Sequence, residues 1–242
     1  MKTIILAGGQ ATRLRPLTNN LPKCLLKVNG KAILSYQIEA LLANGIKEIV
    51  IVSGPFDALL RKYMKEQFPK VKAYYIDNKR FKVSGPAYGL WLAKKYLNDT
   101  VLYLNSDVLF EHEIVKKIIN SKHSSVTAIQ KTAWDEEEVN VIIDKKKRII
   151  EIGKVISREL SYGEFIGVTK FGPIFNKKLI QALDDFVSEN NIKKFAVDSI
   201  NLAIQRGGKF YALDVSNHKA MEIDTPEDYK KIKKIWKTKV AP

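Results

Sequence analysis

Thr3-Ile4-Ile5-Leu6-Ala7-Gly8-Gly9-Gln10-Ala11-Thr12-Arg13-Leu14-Arg15-Pro16-Leu17-Thr18 runs from an apolar stretch straight into paired glycines and two arginines. Thr3 to Ala7 reads as the first strand of a buried sheet. Glycines let the backbone approach a ligand closely and turn its N–H groups inward, so the loop that follows can cradle a triphosphate as an anion nest. Arg13 and Arg15 can then neutralise that ligand from the side. An ordinary tight turn also uses Gly-Gly, so the glycines alone leave both readings open. Spacing excludes two other phosphate loops, since neither GxxxxGK[ST] nor GxGxxG occurs in the chain.

Working outward, short apolar runs alternate with amphipathic stretches. Ala32 to Ala43 reads as a helix stopped by Asn44-Gly45, Glu48 to Val52 as a strand and Phe56 to Phe68 as a helix. Strands follow at Val71 to Ile76 and Val101 to Leu104, with a helix around Tyr88 to Tyr96 between them. This pattern predicts an α/β fold: a Rossmann-like, doubly wound, mostly parallel sheet. Such a sheet binds ligands at the carboxyl ends of its strands, which points to the loops after Ala7 and after Leu104. Past about Lys131 the texture changes. Val139 to Ile143, a basic turn at Lys145 to Lys147 and Arg148 to Ile152 predict a hairpin, read as a small β-rich insertion or lid. A strand at Phe165 to Phe171, helices near Lys177 to Val187 and Val197 to Gln205, and a strand at Phe210 to Val215 come next. Tyr229 to Lys239 closes the chain as a helix with Ile232, Ile235 and Trp236 on one face.

The whole chain of 242 residues reads as one domain, with residues 1–130 as a nucleotide-binding βα half and 131–242 as an acceptor-binding half. At 45% hydrophobic and 28% charged it can bury a substantial core without disulfides, and its 1 Cys can form none within the chain. No window reaches the ~18 consecutive apolar residues of a membrane span, and MKTIILAGG turns polar too early for a signal peptide, so a cytoplasmic location is expected. The formal charge of +15 attracts phosphorylated ligands and polyanions alike, yet no nucleic-acid-binding signature accompanies it. The 3 His (His112, His123, His218) stand far apart and beside no cysteine, so a metal here must be held by carboxylates.

Downstream of the glycine loop stands Pro22-Lys23-Cys24-Leu25. LAGGxxTRLxPLT followed by PK closely resembles the signature of the nucleotidyltransferases that join an NTP to a sugar phosphate or alcohol phosphate. Further motifs resemble that family in the same order: Asn29-Gly30-Lys31-Ala32-Ile33-Leu34, Asn105-Ser106-Asp107-Val108, Ile152-Gly153-Lys154, Glu164-Phe165-Ile166-Gly167, and Glu222-Ile223-Asp224-Thr225-Pro226-Glu227-Asp228. Together they extend over nearly the whole chain. The resemblance implies a sheet of the nucleotide-diphospho-sugar transferase type and a Mg²⁺-dependent reaction releasing pyrophosphate.

It also implies a role for each residue. The nucleotide would lie on Leu6, Ala7, Gly8, Gly9, Thr12, Gly85 and Ser106. Mg²⁺ takes hard oxygen ligands and usually one or two carboxylates, a requirement Asp107 and Asp224 fit. Arg13 would hold the β- and γ-phosphates, Lys23 the α-phosphate where charge grows, and Lys154 the acceptor's phosphate. Glu164, Gly167 and Asp198 would line the acceptor pocket. No general base is needed, because the attacking phosphate oxygen is already ionised at neutral pH. Bland readings stand beside these: Asp224 before Thr225-Pro226 can cap a helix, Asp198 can do the same, and Lys154 can be a solvated hairpin lysine. Cys24 reads as packing. Ser106, the PKCL string, EFIG and EIDTPEDY are closer to the branch acting on alcohol phosphates such as phosphocholine, with inositol phosphate as a related acceptor, which points to CTP as donor. Gly85 stands where that branch often carries Asn and is similar instead to sugar-nucleotide members, so a sugar-1-phosphate uridylyl-, thymidylyl- or guanylyltransferase is the second reading. A non-catalytic regulatory nucleotide-binding subunit is the third; it predicts loss of charged site residues, whereas Arg13, Lys23, Asp107, Lys154 and Asp224 are all present.

Overall fold

The computed structural model describes residues 1–131, 134–135 and 137–236. The parallel heart of the sheet is β1 (Lys2–Leu6), followed by the short hairpin of β2 (Lys27–Val28) and β3 (Lys31–Ala32), then α1 (Ile33–Ala43), β4 (Glu48–Ser53), α2 (Asp57–Gln67) and β5 (Lys72–Asp77). α3 (Pro86–Leu92), extended by a 3-10 turn at Lys94–Tyr96, leads to β6 (Val101–Asn105). β1 pairs in parallel with both β4 and β6, and β4 with β5. Apart from the β2–β3 hairpin, which has no counterpart in it, these elements match the predicted alternation to within a residue or two at most ends. α1 ends as expected: Gly45, at φ 76°, turns the chain so that the Ile46 amide donates back to the Leu41 carbonyl.

Three elements between Val108 and Gln130 have no counterpart in that alternation: β7 (Val108–Phe110), α4 (His112–Ile119) and β8 (Val126–Gln130). Next come β9 (Asn140–Ile143) and β10 (Ile149–Gly153), the predicted hairpin, and β11 (Gly163–Phe171). α5 (Pro173–Ser188), α6 (Ala196–Gln205), β12 (Tyr211–Asp214), β13 (Ala220–Glu222) and α7 (Pro226–Ile235) complete the chain. Among the described residues nine strands form one sheet in the order β10-β9-β11-β6-β1-β4-β5, with β8 against β11 and β12 against β8. The hairpin read as an insertion or lid is therefore hydrogen-bonded into the sheet through β11, which runs antiparallel to β6. β11 carries a register shift between Phe165 and Thr169, and Gly167 lies inside it at φ 66°.

Side chains alternate across the sheet, so both faces need cover. Ile5, Ile49, Ile51, Leu102 and Leu104 pack beneath α1, α2 and α4, while Ile4, Val50, Val52, Val101 and Tyr103 pack beneath α3, α5 and α6. A third, smaller core gathers Leu14, Leu26, Ile33, Leu109, Ile223, Ile232 and Trp236. It ties the glycine loop, the β7–β13 ribbon and α7 together at one end of the sheet. α7 starts at a capping box, with Thr225 and Asp228 exchanging hydrogen bonds and Pro226 in the first turn. Its apolar face differs from the prediction: Ile232 and Trp236 are buried, but Ile235 is 44% exposed. Ile235 lies about 60° round the helix from Ile232, at the edge of the stripe, and Trp236 follows it outside helical geometry, at ψ 84°. The predicted extension over Lys237 to Lys239 lies outside the described residues.

This core makes unequal demands on two neighbouring isoleucines. Ile232→Ala should cost about 2–5 kcal/mol in urea denaturation and Ile235→Ala no more than about 0.5 kcal/mol. Equal losses would mean that α7 is seated differently.

Candidate active site

The carboxyl ends of β1, β4 and β6 open into a cavity of about 490 Å³. Its floor is the glycine loop. A Cβ on Gly8 would stand 3.0 Å from the Ser53 carbonyl oxygen, and one on Gly54 would stand 2.6 Å from the Gly8 oxygen. Close approach of the loops after β1 and β4 thus explains both glycines. Thr18 staples the loop by donating its hydroxyl to the Ala11 carbonyl at 2.8 Å. Two consecutive 3-10 turns, Thr12–Leu14 and Lys23–Leu25, then present Arg13 and Lys23 to the cavity.

Three remote segments converge on Lys23. Its ammonium donates to Asp107 Oδ2 at 2.8 Å and to Asp224 Oδ1, and Arg13 closes on the other oxygen of Asp224. The convergence has a backbone cause: β13 pairs antiparallel with β7, and the Ile223 amide donates to the Asp107 carbonyl at 3.2 Å. Asp107, just before β7, and Asp224, just after β13, are therefore held at the same end of this ribbon. Glu222, two residues before Asp224, joins them, and one oxygen from each of the three carboxylates lies within 4.8 Å of the others.

Charge in this cluster follows its surroundings. Burial lowers the Lys23 pKa, but Asp107 and Asp224 outweigh it and leave the ammonium above its ordinary value. Burial raises Asp224, while Lys23 and then Arg13 draw it below the usual carboxylate range. Glu222 goes the other way, pushed well up by burial and then by Asp107 and Asp224. Asp107 Oδ1 is buried without a hydrogen-bond partner. Three carboxylates with one oxygen unspent form a hard donor set, and Asp107, Glu222 and Asp224 fit a divalent cation of the magnesium type. Cys24, with its thiol pushed by burial and Asp107 up to about 12, stays a buried packing residue.

The other predicted residues fall into two groups. Leu6, Ala7, Gly9, Thr12, Gly85, Ser106 and Lys154 line the cavity. Gly85 is pressed against the backbone: its amide donates to the Ile192 carbonyl at 2.7 Å, and a Cβ would collide with the carbonyls of Lys193 and Lys194. That packing accounts for the glycine where Asn was the comparison. Lys154 reaches the Glu137 carbonyl at 2.7 Å at the cavity rim. Glu164, Gly167 and Asp198 stand outside the cavity wall. Asp198 is the third residue of α6 rather than the N-cap foreseen as its alternative, and its carboxylate reaches back to accept the Phe195 amide at 2.7 Å. Gly167 makes room for a wall residue, since a Cβ there would lie 2.5 Å from Asn105 Nδ2.

Sequence reasoning missed Glu222, Glu138, Phe165 and Phe195, all cavity residues. Glu222 carried a signal, because i and i+2 on a strand share a face and Asp224 was already singled out. Glu138 had none. It sits on the segment before β9 and is raised by burial, then by Asp135, Asp228 and Asp224.

A sequence profile described as nucleotidyl transferase matches residues 2–153. The choline-phosphate cytidylyltransferase of Streptococcus pneumoniae is 28% identical over 98% of this chain and 99% of its own. The CTP:phosphoglutamine cytidylyltransferase of Campylobacter jejuni is 28% identical over 93% of each. Among solved structures, the inositol-1-phosphate CTP transferase from T. maritima superposes with a TM-score of 0.80 at 24% identity, over 95% of this chain and 93% of that one.

Removing the central cation tests the electrostatics. With divalent metal chelated, Lys23→Met should lose about 2–3 kcal/mol of stability at pH 7. Asp224 is stabilised only while ionised, so the loss should be full above its unfolded value of 3.8 and shrink as pH falls below it. Denaturation at pH 7 and pH 3 checks this; a pH-independent loss would contradict the ion-pair account.

Proposed function

The chain belongs to the nucleotidyl transferase family, and we propose that it transfers the nucleotidyl group of CTP to a small alcohol phosphate, releasing pyrophosphate. The observation that carries this reading is Lys23 clamped between Asp107 and Asp224 beside the glycine loop. That arrangement has the parts needed to bring two anions together. CTP is favoured because the two relatives named above are cytidylyltransferases by name.

In the reaction a bond forms between an acceptor phosphate oxygen and the α-phosphorus while the bond from that phosphorus to the β-phosphate oxygen breaks. The electron pair leaves with pyrophosphate. Both reactants are anions, so catalysis consists of positioning and charge neutralisation. Backbone amides of Gly8 to Thr12 cradle the triphosphate, and Arg13 takes the β- and γ-phosphates that depart. Lys23 turns its ammonium from the carboxylates to the α-phosphate, where charge grows in the transition state. Asp107, Glu222 and Asp224 would hold Mg²⁺, which supplies Lewis-acid neutralisation of the phosphate oxygens. Lys154 exchanges the Glu137 carbonyl for the acceptor's phosphate.

The acceptor's other end meets an acidic and aromatic wall. Among the described residues the cavity is lined by the carboxylates Asp107, Glu137, Glu138, Glu222 and Asp224 against the cations Arg13, Lys23 and Lys154. With Asp107, Glu222 and Asp224 assigned to a metal, Glu137 and Glu138 remain, and Phe165 and Phe195 line the same cavity. Carboxylate and ring faces suit a cationic alcohol phosphate better than a sugar 1-phosphate.

Pyrophosphate release from CTP, UTP, dTTP, GTP and ATP against phosphocholine, phosphoethanolamine, inositol 1-phosphate and sugar 1-phosphates tests the assignment. CTP with a cationic alcohol phosphate should be the most active pair, and Asp107→Ala should lower kcat by at least about a hundredfold. Activity confined to sugar 1-phosphates would overturn the acceptor assignment, and silence throughout in a folded protein would overturn the reaction.

A further inference from the structure

Gln37 is a buried polar residue on the helix that covers one face of the sheet. It lies on α1 at 0% exposure, with Leu34, Ile38 and Leu41 of the same helix in the core beneath the sheet. Its amide nitrogen donates to two backbone carbonyls, Asn105 and Val108, each at 2.8 Å. These carbonyls bracket Ser106 and Asp107. A side-chain amide has two N–H donors, so both are spent on this one turn. Its own oxygen, Oε1, is left buried with no partner. An apolar side chain would avoid that unpaired acceptor, so the amide is retained at a cost to the core.

The turn is supported at its flanks by other groups. Tyr103 donates its hydroxyl to Asn105 Oδ1 at 2.6 Å, Gly167 leaves space for the Asn105 side chain, and the Ile223 amide holds the Asp107 carbonyl. Among the described residues, Gln37 alone has side-chain hydrogen bonds to the backbone on both sides of Asp107. We propose that Gln37 is a positioning residue that fixes the Asn105–Val108 turn so that the Asp107 carboxylate is aimed at the cavity, at Lys23 and at a divalent cation. The proposal rests on the reading of Asp107 as a metal ligand. Ligands held to within a few tenths of an ångström depend on such outer partners, whose loss weakens metal binding by about 10–100-fold.

The test measures binding directly. Free Mn²⁺ is followed by its electron paramagnetic resonance signal during titration of wild type, Gln37→Leu, Gln37→Met and Asp107→Asn, with and without CTP. CTP binding without metal and near-ultraviolet circular dichroism are recorded on the same samples. Gln37→Leu and Gln37→Met are expected to keep the wild-type spectrum and wild-type CTP affinity without metal while losing about tenfold or more in Mn²⁺ affinity. Wild-type Mn²⁺ affinity in both folded variants would overturn the proposal. So would equal losses of Mn²⁺ and CTP affinity, or failure of both variants to fold, because either outcome makes Gln37 a general structural residue. If Asp107→Asn binds Mn²⁺ as wild type does, the metal reading itself fails and takes the proposal with it; the Asp107 arm distinguishes that failure from one confined to Gln37.

Discussion

The ammonium of Lys23 between the carboxylates of Asp107 and Asp224 is the interaction around which the functional end of this molecule is arranged. The three residues come from segments separated by 84 and 201 positions from Lys23, so local sequence cannot bring them together. Tertiary structure does it in two steps. β1 and β6 lie side by side in parallel and end at the same edge, and the β7–β13 ribbon then folds the last carboxylate back over that edge. Partly buried like charges repel, and three carboxylates in one place are tolerable only with a cation among them. In this structure Lys23 lies between Asp107 and Asp224, Arg13 closes on Asp224, and Glu222 is pushed toward its neutral form. A site that carries its own counter-ion is preorganised for a reaction whose main difficulty is anion repulsion.

The same logic resolves an imbalance in the chain's charge. A protein of formal charge +15 surrounds a cavity whose described lining has more carboxylates than cations. With the function proposed above, the overall field would draw phosphorylated substrates from solution, and the acidic interior would give a divalent metal and a cationic group somewhere to bind. A uniformly basic cavity would bind nucleotide tightly and leave no ligands for magnesium.

Much of this was legible in one dimension. Strand one ending at Gly8-Gly9, the helix stop at Asn44-Gly45 and the strand ends before Asp107 and Asp224 are local signals with local physical causes, and the fold followed from them; the grouping of Lys23 with Asp107 and Asp224 came from the resemblance to a known family. What was not legible depended on distant backbone. Gly85 invited comparison with nucleotide specificity, while the structure ties it to the carbonyls of Lys193 and Lys194. The hairpin at Asn140 to Gly153 looked like an addition because antiparallel strands interrupted a βα rhythm; its pairing to β11 makes it part of the main sheet. Glu222 had a periodicity signal and Gln37 had none, since a glutamine on an amphipathic helix reads as surface until the carbonyls it reaches are known.

In the proposed reaction Lys23 holds the metal and phosphate region in readiness and yields it when nucleotide and metal arrive. A crystal structure of the chain with CTP and Mn²⁺, read by manganese anomalous scattering, addresses it most directly. A manganese peak on the carboxylates of Asp107, Glu222 and Asp224, with the Lys23 ammonium moved onto the α-phosphate, is the expected result. Manganese elsewhere, with Lys23 still paired to both aspartates beside bound CTP, would contradict it.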